Sequence, residues 1–405
     1  MSLGRYFSVV RLNAVFAFMM AVGLFVLVSG KGWFTSGSAR NAQIYIWLLL
    51  PALCLLLRCM FDRKASCADR YYLPWFAFLG WVALSSCWGP LTAFDALSLA
   101  KRGFVLIVFL LSINFLLQLN AATFRRALTL GILVVALAAF AAIVYQFFWL
   151  DRPLGYRTFR LDRLGIGEFA NYGVPVAAGI FHGALAVWAF GFAVDRDTRL
   201  RSAVVWFLVF VTLAIYTFFT YARGAWIGMA CGVTVAVLLQ GTRRAYWILG
   251  TGVAFVIAMS VIWSDYLMSE LFKRQLSGRG PIWEYYFSVM PGHWLFGYGL
   301  GTPFEYRWPD GETVSPHAHS LYFQQIYDSG VIAFVLLATG LVSLLLKVWY
   351  LRDNYWVRLA LPALIFALIA TLTDIERIYT RPGDYWIVVW LPVAILLAVP
   401  PEFIE

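Results

Sequence analysis

Long apolar runs separated by short polar segments repeat along the whole chain and predict membrane-spanning helices. A helix of about 20 mostly apolar residues crosses the roughly 30 Å hydrocarbon layer of a bilayer. Because a helix satisfies its own backbone hydrogen bonds in lipid, we predict an all-α, polytopic integral membrane protein with about twelve transmembrane helices. The runs lie near 12–30, 42–60, 71–88, 103–119, 127–150, 172–194, 200–221, 224–240, 245–264, 318–346, 355–373 and 384–400.

Composition supports this interpretation. Hydrophobic residues make up 62% of the chain and charged residues 13%. No internal repeat divides the sequence, so we predict one transmembrane domain over residues 1–405, with its longest polar loops at about 151–171 and 265–317. The second loop directly precedes predicted helix 10. The five cysteines form no CxxC pair, so neither a disulfide framework nor a thiolate metal site is indicated.

Basic residues predict the orientation. The segments "RCMFDRKASCADR", "TFRRA", "DRDTRLR" and "GTRR" are short and dense in positive charge, which favours cytoplasmic N- and C-termini for an even helix count. The long loops and the short "TYARGAW" turn with Arg223 then share the opposite side. The two long loops carry Arg152, Arg157, Arg160, Arg163, Lys273, Arg274, Arg279 and Arg307. Most are expected to be solvated loop charges, and the alternative is an anion site of converging guanidinium groups.

The segment "SPHAHSLYFQQIYDSG" holds two of the four histidines. Ser315 and Pro316 are typical of a helix start, which predicts that His317 and His319 lie in the first turns of helix 10. Two helical residues diverge by about 200°, so at most one ring would face a given site. Gly330 would lie on the face of His319. Two interpretations remain: a hydrogen-bonded interfacial histidine, or a general base kept neutral by nearby arginines.

Three further features have simpler predicted roles. The glycine-rich "PGHWLFGYGLGT" is expected to be a flexible loop, because no strand–turn–helix context suggests nucleotide binding. His182, inside a predicted span, is expected to make a helix–helix hydrogen bond. In "DIERIYTRPGD", the charges of Asp374, Glu376, Arg377 and Arg381 are expected to pair locally, and the alternative is that Asp374 orients a site arginine. No metal-ligand spacing occurs, so no metal or other cofactor is expected.

Several motifs, taken in order, resemble the bacterial O-antigen ligases and their superfamily. They are "RLDRLGIGEFANYG" (160–173), "TYARGAWIG" (220–228), "SGRGPIW" (277–283), "LFGYGLG" and "HAHS", followed by the His319-x10-Gly330 spacing. Each motif is short, and their order, common predicted side and topology carry the resemblance. It extends over nearly the whole chain.

The resemblance implies a glycosyltransferase of the bacterial inner membrane with a periplasmic active site. The donor would be O-polysaccharide on undecaprenyl diphosphate, and the acceptor a sugar hydroxyl of lipid A–core. His319 would be the catalytic base, with Arg223, Arg279, Arg160, Arg163 and His317 as substrate-binding candidates. Partners would be these glycolipids and membrane lipids, without nucleic acid. The alternatives are an O-antigen polymerase or O-oligosaccharyltransferase, and, in another class, a lipid-linked glycan transporter.

Overall fold

The structure, a computed structural model, describes residues 3–62, 68–89, 92–269, 272, 278–374 and 377–401. Lys273, Arg274 and Glu376 lie outside these residues. The helices are α1 (Leu3–Ser29), α2 (Gly37–Ile44), α3 (Leu50–Asp62), α4 (Leu73–Ser85), α5 (Ala93–Val144), α6 (Pro175–Val194), α7 (Leu200–Phe219), α8 (Arg223–Gln240), α9 (Arg243–Ile262), α10 (Ser264–Met268), α11 (Arg279–Val289), α12 (Leu321–Tyr350), α13 (Tyr355–Ala370) and α14 (Leu391–Ala398). Five-residue π-helical turns over Tyr45–Leu49, Tyr145–Trp149 and Trp386–Trp390 adjoin α3, α5 and α14.

The architecture is that of an all-α membrane protein. Within the described residues, eight helices are long and apolar enough to cross a bilayer. One of them, Asp95–Trp149, is 55 residues long, and its backbone leaves the helical conformation at Asn120. Two of the predicted spans therefore meet at this kink. The count of twelve spans remains a prediction. A two-stranded antiparallel hairpin, β1 (Tyr306–Arg307) with β2 (Val314–Ser315), was not predicted.

Close packing of α8 against α13 positions the functional loops. Gly228 and Gly232 of α8 face α13 so closely that a Cβ atom on either would lie 3.0 Å from a backbone oxygen of α13. Small residues allow helices in a membrane to approach in this way. At the end of the contact, a Cβ on Gly224 would lie 3.1 Å from Oγ1 of Thr373. The first turn of α8 is thereby held against the segment that follows α13.

A kink in α12 receives the glycine-rich segment 291–302. Gly330 adopts φ 74° and ψ 176°, which interrupts the helical hydrogen bonds. Neighbouring groups satisfy the freed backbone atoms: the Val331 amide donates to Trp294 O at 2.8 Å, and the Tyr298 amide donates to Tyr327 O at 2.7 Å. The segment is a loop, as predicted, and it packs into the kink. The partner of Gly330 is therefore a loop.

His182 is buried in α6, and its contacts differ from the prediction. Its Nδ1 atom lies 2.8 Å from the carbonyl oxygen of Ala178 in the same helix. Its ring stacks on Tyr216 of α7, with centroids 3.8 Å apart. The contact between helices is thus ring stacking, and the hydrogen bond described for this ring stays within α6. His182 is a packing residue that does not line the site described below.

Candidate active site

A cavity of about 700 Å³ brings together distant parts of the chain at one end of the helix bundle. Its walls come from the segment before α6, the turn between α7 and α8, the start of α11, the hairpin, and the segments flanking α12 and α13. The polar and charged residues that line it are Arg157, Arg160, Tyr221, Arg223, Arg279, Trp308, Thr313, Ser315, His317, His319, Thr373 and Asp374. Arginine and histidine side chains therefore share one space.

The turn before α8 anchors the arginine wall. Tyr221 adopts φ 53°, which ends α7 and lets α8 begin at Arg223. Arg160 Nε donates to Thr220 O at 2.8 Å, and an Arg157 guanidinium nitrogen donates to Tyr221 O at 3.3 Å. These bonds use carbonyls of the turn directly after α7, which accept no hydrogen bond within that helix. Three arginines are thereby gathered around one helix-to-helix turn.

The two histidines precede α12, so the prediction that they lie in its first turns was wrong. Ser320 is the residue before the helix, and the helix begins at Leu321. His319 has a left-handed backbone with φ 49°. The rings of His317 and His319 lie 4.1 Å apart between centroids, and both line the cavity. The prediction that the two rings diverge was therefore also wrong, because it assumed helical geometry.

Buried hydrogen bonds fix the histidine segment from both sides. Trp283 Nε1 in α11 donates to Ala318 O at 3.0 Å, and the Ala318 amide donates to Gln324 Oε1 at 3.0 Å. The Leu321 amide donates to Thr371 O at 3.1 Å, which joins the start of α12 to the end of α13. Because the backbone is held between the two rings and directly after them, both rings have defined positions.

Asp374 connects an arginine to a histidine. Its Oδ2 atom lies 2.6 Å from an Arg279 guanidinium nitrogen, and its Oδ1 atom lies 3.3 Å from Nδ1 of His319. The side chain of Asp374 is 13% exposed, so water screens these contacts only in part. The expected local pairing was wrong for this residue, and the alternative that Asp374 orients a site arginine agrees with the contact. Arg377, a sequence neighbour, instead pairs with buried Asp328 at 2.5 Å.

The hydrogen bonds indicate which ring nitrogens hold protons. A carboxylate only accepts hydrogen bonds, so Nδ1 of His319 carries the proton and donates to Asp374. In the neutral ring Nε2 then has a free lone pair. The His319 backbone amide donates to Nδ1 of His317 at 3.2 Å, so that atom is unprotonated. Burial, followed by the charge of His319, lowers the pKa of His317 to about 4. His317 is thus a neutral ring at physiological pH.

Strained backbone is concentrated around the cavity. Five described residues other than glycine have positive φ, and three of them, Arg157, Tyr221 and His319, line it. Such conformations cost about 1–3 kcal/mol each and persist where the surroundings impose them. Strain of this kind is enriched at functional sites, which supports a functional role for this cavity.

Most of the site residues predicted from the sequence line this cavity. Arg223, Arg279, Arg160, His317 and His319 line the cavity, whereas Arg163 is outside the described lining and pairs with Asp162 at 2.8 Å. The sequence analysis did not name Arg157 among the site residues, and it raised Asp374 only as the alternative that this residue orients a site arginine. The signal for both was their position in loops predicted to share one side of the membrane. The hairpin contributes Trp308 and Thr313 to the cavity lining, and no sequence pattern indicated this hairpin.

Comparison with known proteins agrees with this geometry. A sequence model described as O-antigen ligase matches residues 208–338, from within α7 through the histidine segment into α12. A Pseudomonas aeruginosa protein named O-antigen ligase is 22% identical over 384 residues, which cover 94% of this chain and 90% of that protein. The chain is thus similar to O-antigen ligases, over residues 208–338 in the family model and over most of its length in the relative. These similarities support a membrane glycosyltransferase of the ligase or polymerase type.

Proposed function

We propose that this protein transfers O-polysaccharide from undecaprenyl diphosphate to a sugar hydroxyl of lipid A–core on the periplasmic side of the inner membrane. The observation that carries the proposal is that His319, Arg223 and Arg279 face one cavity. A lipid-linked donor needs an arginine-lined place for its diphosphate, and an acceptor hydroxyl needs a base beside it. The lining of this cavity of about 700 Å³ includes residues of both kinds, which supports the proposal.

His319 is the proposed general base. Asp374 accepts a hydrogen bond from Nδ1–H of His319, which leaves the Nε2 lone pair to take the proton of the acceptor hydroxyl. The hydroxyl oxygen then forms a bond to the anomeric carbon as the bond from that carbon to the phosphate oxygen breaks. The diphosphate leaves with the electron pair, and attack from the opposite face inverts the anomeric carbon. The imidazolium formed faces the Asp374 carboxylate, which stabilises its charge.

The arginines are proposed to hold the leaving group. Negative charge grows on the bridging oxygen of the diphosphate as its bond breaks, so fixed guanidinium donors stabilise the transition state more than the ground state. Arg223 lies at the start of α8, and Arg160 and Arg157 are tied to the same turn. Arg279 contributes from α11, next to Asp374. Arginine charge would then do the work that a divalent metal does in other phosphate-releasing enzymes.

The test is reconstitution of the purified enzyme with lipid-linked donor and lipid A–core. We expect His319→Ala to lose transfer while it still binds donor, and wild-type transfer to persist in EDTA. Substantial ligation by a well-folded His319→Ala enzyme would rule out the base assignment. Loss of transfer in EDTA, restored by Mg²⁺ or Mn²⁺, would contradict the arginine mechanism.

The same assay separates the alternatives. A ligase joins polysaccharide to lipid A–core, whereas a polymerase lengthens the lipid-linked chain without that acceptor. A transporter would move donor across a vesicle membrane without a new glycosidic bond. The match to proteins named O-antigen ligase favours the first of these.

A further inference from the structure

A second cavity, of about 350 Å³, lies between the segment joining α1 to α2 and the segment before α6. None of its lining residues belongs to the cavity described above. Both cavities lie at the same end of the bundle, because a Cβ on Gly179 in the first turns of α6 would lie 2.4 Å from Oγ1 of Thr220 before α8. The Ala170 amide donates to Lys31 O at 2.8 Å and joins the two walls.

Arg40 is the residue in this cavity whose burial favours a bound anion. It is 8% exposed, it lines the cavity, and its Nε atom has no hydrogen-bond partner among the described residues. Four other described arginines have an unsatisfied Nε: Arg244, Arg279 and Arg358 each bond through another nitrogen, and Arg102 is less buried than Arg40 and lies outside this cavity. Arg40 has no described ion pair. Burying the Nε of a cation without a partner costs free energy, and an anion bound at this guanidinium would offset that cost.

The surrounding groups hold Arg40 in place and leave it uncompensated. Its aliphatic stem crosses Gly30, where a Cβ atom would lie 2.9 Å from Arg40 Cδ and Cγ. Lys31 pairs with Asp384 and lies 4.6 Å from the ring centroid of Tyr172. The described lining also includes one acid, exposed Glu168, which accepts a hydrogen bond from Asn171 at 2.6 Å. The site thus has a positioned guanidinium, while Asp384 is paired with Lys31 and the remaining acid, Glu168, is exposed to solvent.

The position of the cavity indicates what the anion belongs to. It lies where α1 ends at Ser29 and just before α6 begins at Pro175, which is the depth at which apolar helices leave the hydrocarbon layer. Trp33 and Val174 beside it are 42% and 56% exposed, as expected for residues that face lipid near the headgroups. We infer that this cavity is a second anion-binding site, which takes the phosphate of a lipid headgroup at Arg40.

The probes are phosphatidylglycerol, its phosphate-free analogue diacylglycerol, and inorganic phosphate, added to the full-length protein in neutral detergent. Native mass spectrometry would count retained lipid. We expect phosphatidylglycerol to be retained over diacylglycerol, and Arg40→Gln to weaken its binding by about 10- to 100-fold, the value of a charge-assisted hydrogen bond.

Two further variants keep the result decisive. Glu168→Gln removes the acid but keeps an oxygen for Asn171, so it should tighten lipid binding even if Arg40→Gln does not fold. Arg307→Gln, an exposed arginine outside both cavities, is the matched control and should change nothing. Competition by inorganic phosphate would show that the phosphate group alone is bound, whereas lack of competition would assign the site to an intact lipid. Unchanged phosphatidylglycerol binding in both Arg40→Gln and Glu168→Gln would overturn the inference.

Discussion

Replacing Asp374 by asparagine should disable the base without removing any arginine. The carboxylate has two acceptor oxygens, one for Arg279 and one for His319. An asparagine has one oxygen, and the shorter, charge-assisted contact to Arg279 should keep it. The amide NH₂ would then face Nδ1 of His319, which must accept, so the ring proton moves to Nε2. That tautomer has no lone pair towards the acceptor hydroxyl.

The magnitude follows from the two interactions that the asparagine removes. Restoring the working tautomer costs about 1.5–3 kcal/mol, the value of a hydrogen bond to a charged group. Loss of the carboxylate beside the forming imidazolium adds about 1 kcal/mol, since Arg279 already offsets that charge and the His319 side chain is 30% exposed. The sum, about 2.5–4 kcal/mol, predicts a loss of turnover of about 10²–10³. Donor affinity should stay the same or rise, because Arg279 no longer shares its charge with a carboxylate.

The assay is single-turnover transfer in the reconstituted system, with donor affinity measured separately. Asp374→Glu keeps two oxygens and should recover part of the rate, and Asp151→Asn, an exposed loop acid with positive φ, is the matched control. Turnover of Asp374→Asn within about threefold of wild type would show that the His319–Asp374 contact is not used. A parallel loss of affinity and of folded protein would instead assign Asp374 a structural role.

Three further outcomes are expected. Arg223→Lys and Arg279→Lys should each lower turnover by about 10²–10³-fold and affect donor affinity less, because lysine cannot bind two oxygens in a fixed plane. Near-normal turnover with weak donor affinity would show that these arginines only help to bind the donor. The pKa of His317 is about 4 in the folded state and about 6.5 when unfolded. Because the unfolded state binds the extra proton, the folded state loses stability as pH falls from about 6.5 towards 4. The melting temperature should therefore fall less between pH 7 and pH 5 in His317→Gln than in wild type, and equal decreases would contradict this. Gly330→Ala would place a Cβ 2.0 Å from a loop carbonyl at φ 74° and should lower both melting temperature and transfer, whereas Gly250→Ala, with open space around it, should do neither.

Some elements of the site were within reach of the sequence because they depend on local rules. Arg223 was expected at a helix end and is the first residue of α8, since the short polar turn leaves no other place for it. The clustering of Arg223, Arg279, Arg160 and His319 followed from the predicted common side of their loops. That inference needed helix parity and no knowledge of packing.

Other elements were mispredicted for a specific physical reason. Ser315 and Pro316 have the residue types of a helix start, but α12 begins six residues after Ser315. The backbone of Ala318 bonds to side chains of α11 and α12, and the Leu321 amide bonds to the end of α13, so the segment between Ser315 and Leu321 does not form helical hydrogen bonds. Long-range bonds overrode the local preference, and with it the inferred divergence of the two rings.

By itself, the sequence determined an all-helical membrane chain, because apolar run length and backbone satisfaction in lipid leave few alternatives. It also determined which cations and histidines were candidates, since so few polar residues interrupt the apolar runs. The tertiary structure alone decided that Asp374 lies between Arg279 and His319, across 95 and 55 residues of chain. It also decided that Arg40 is buried beside a cavity. Such pairings depend on how helices pack and which loops meet at their ends. The periodicity of hydrophobic residues in a single segment indicates neither.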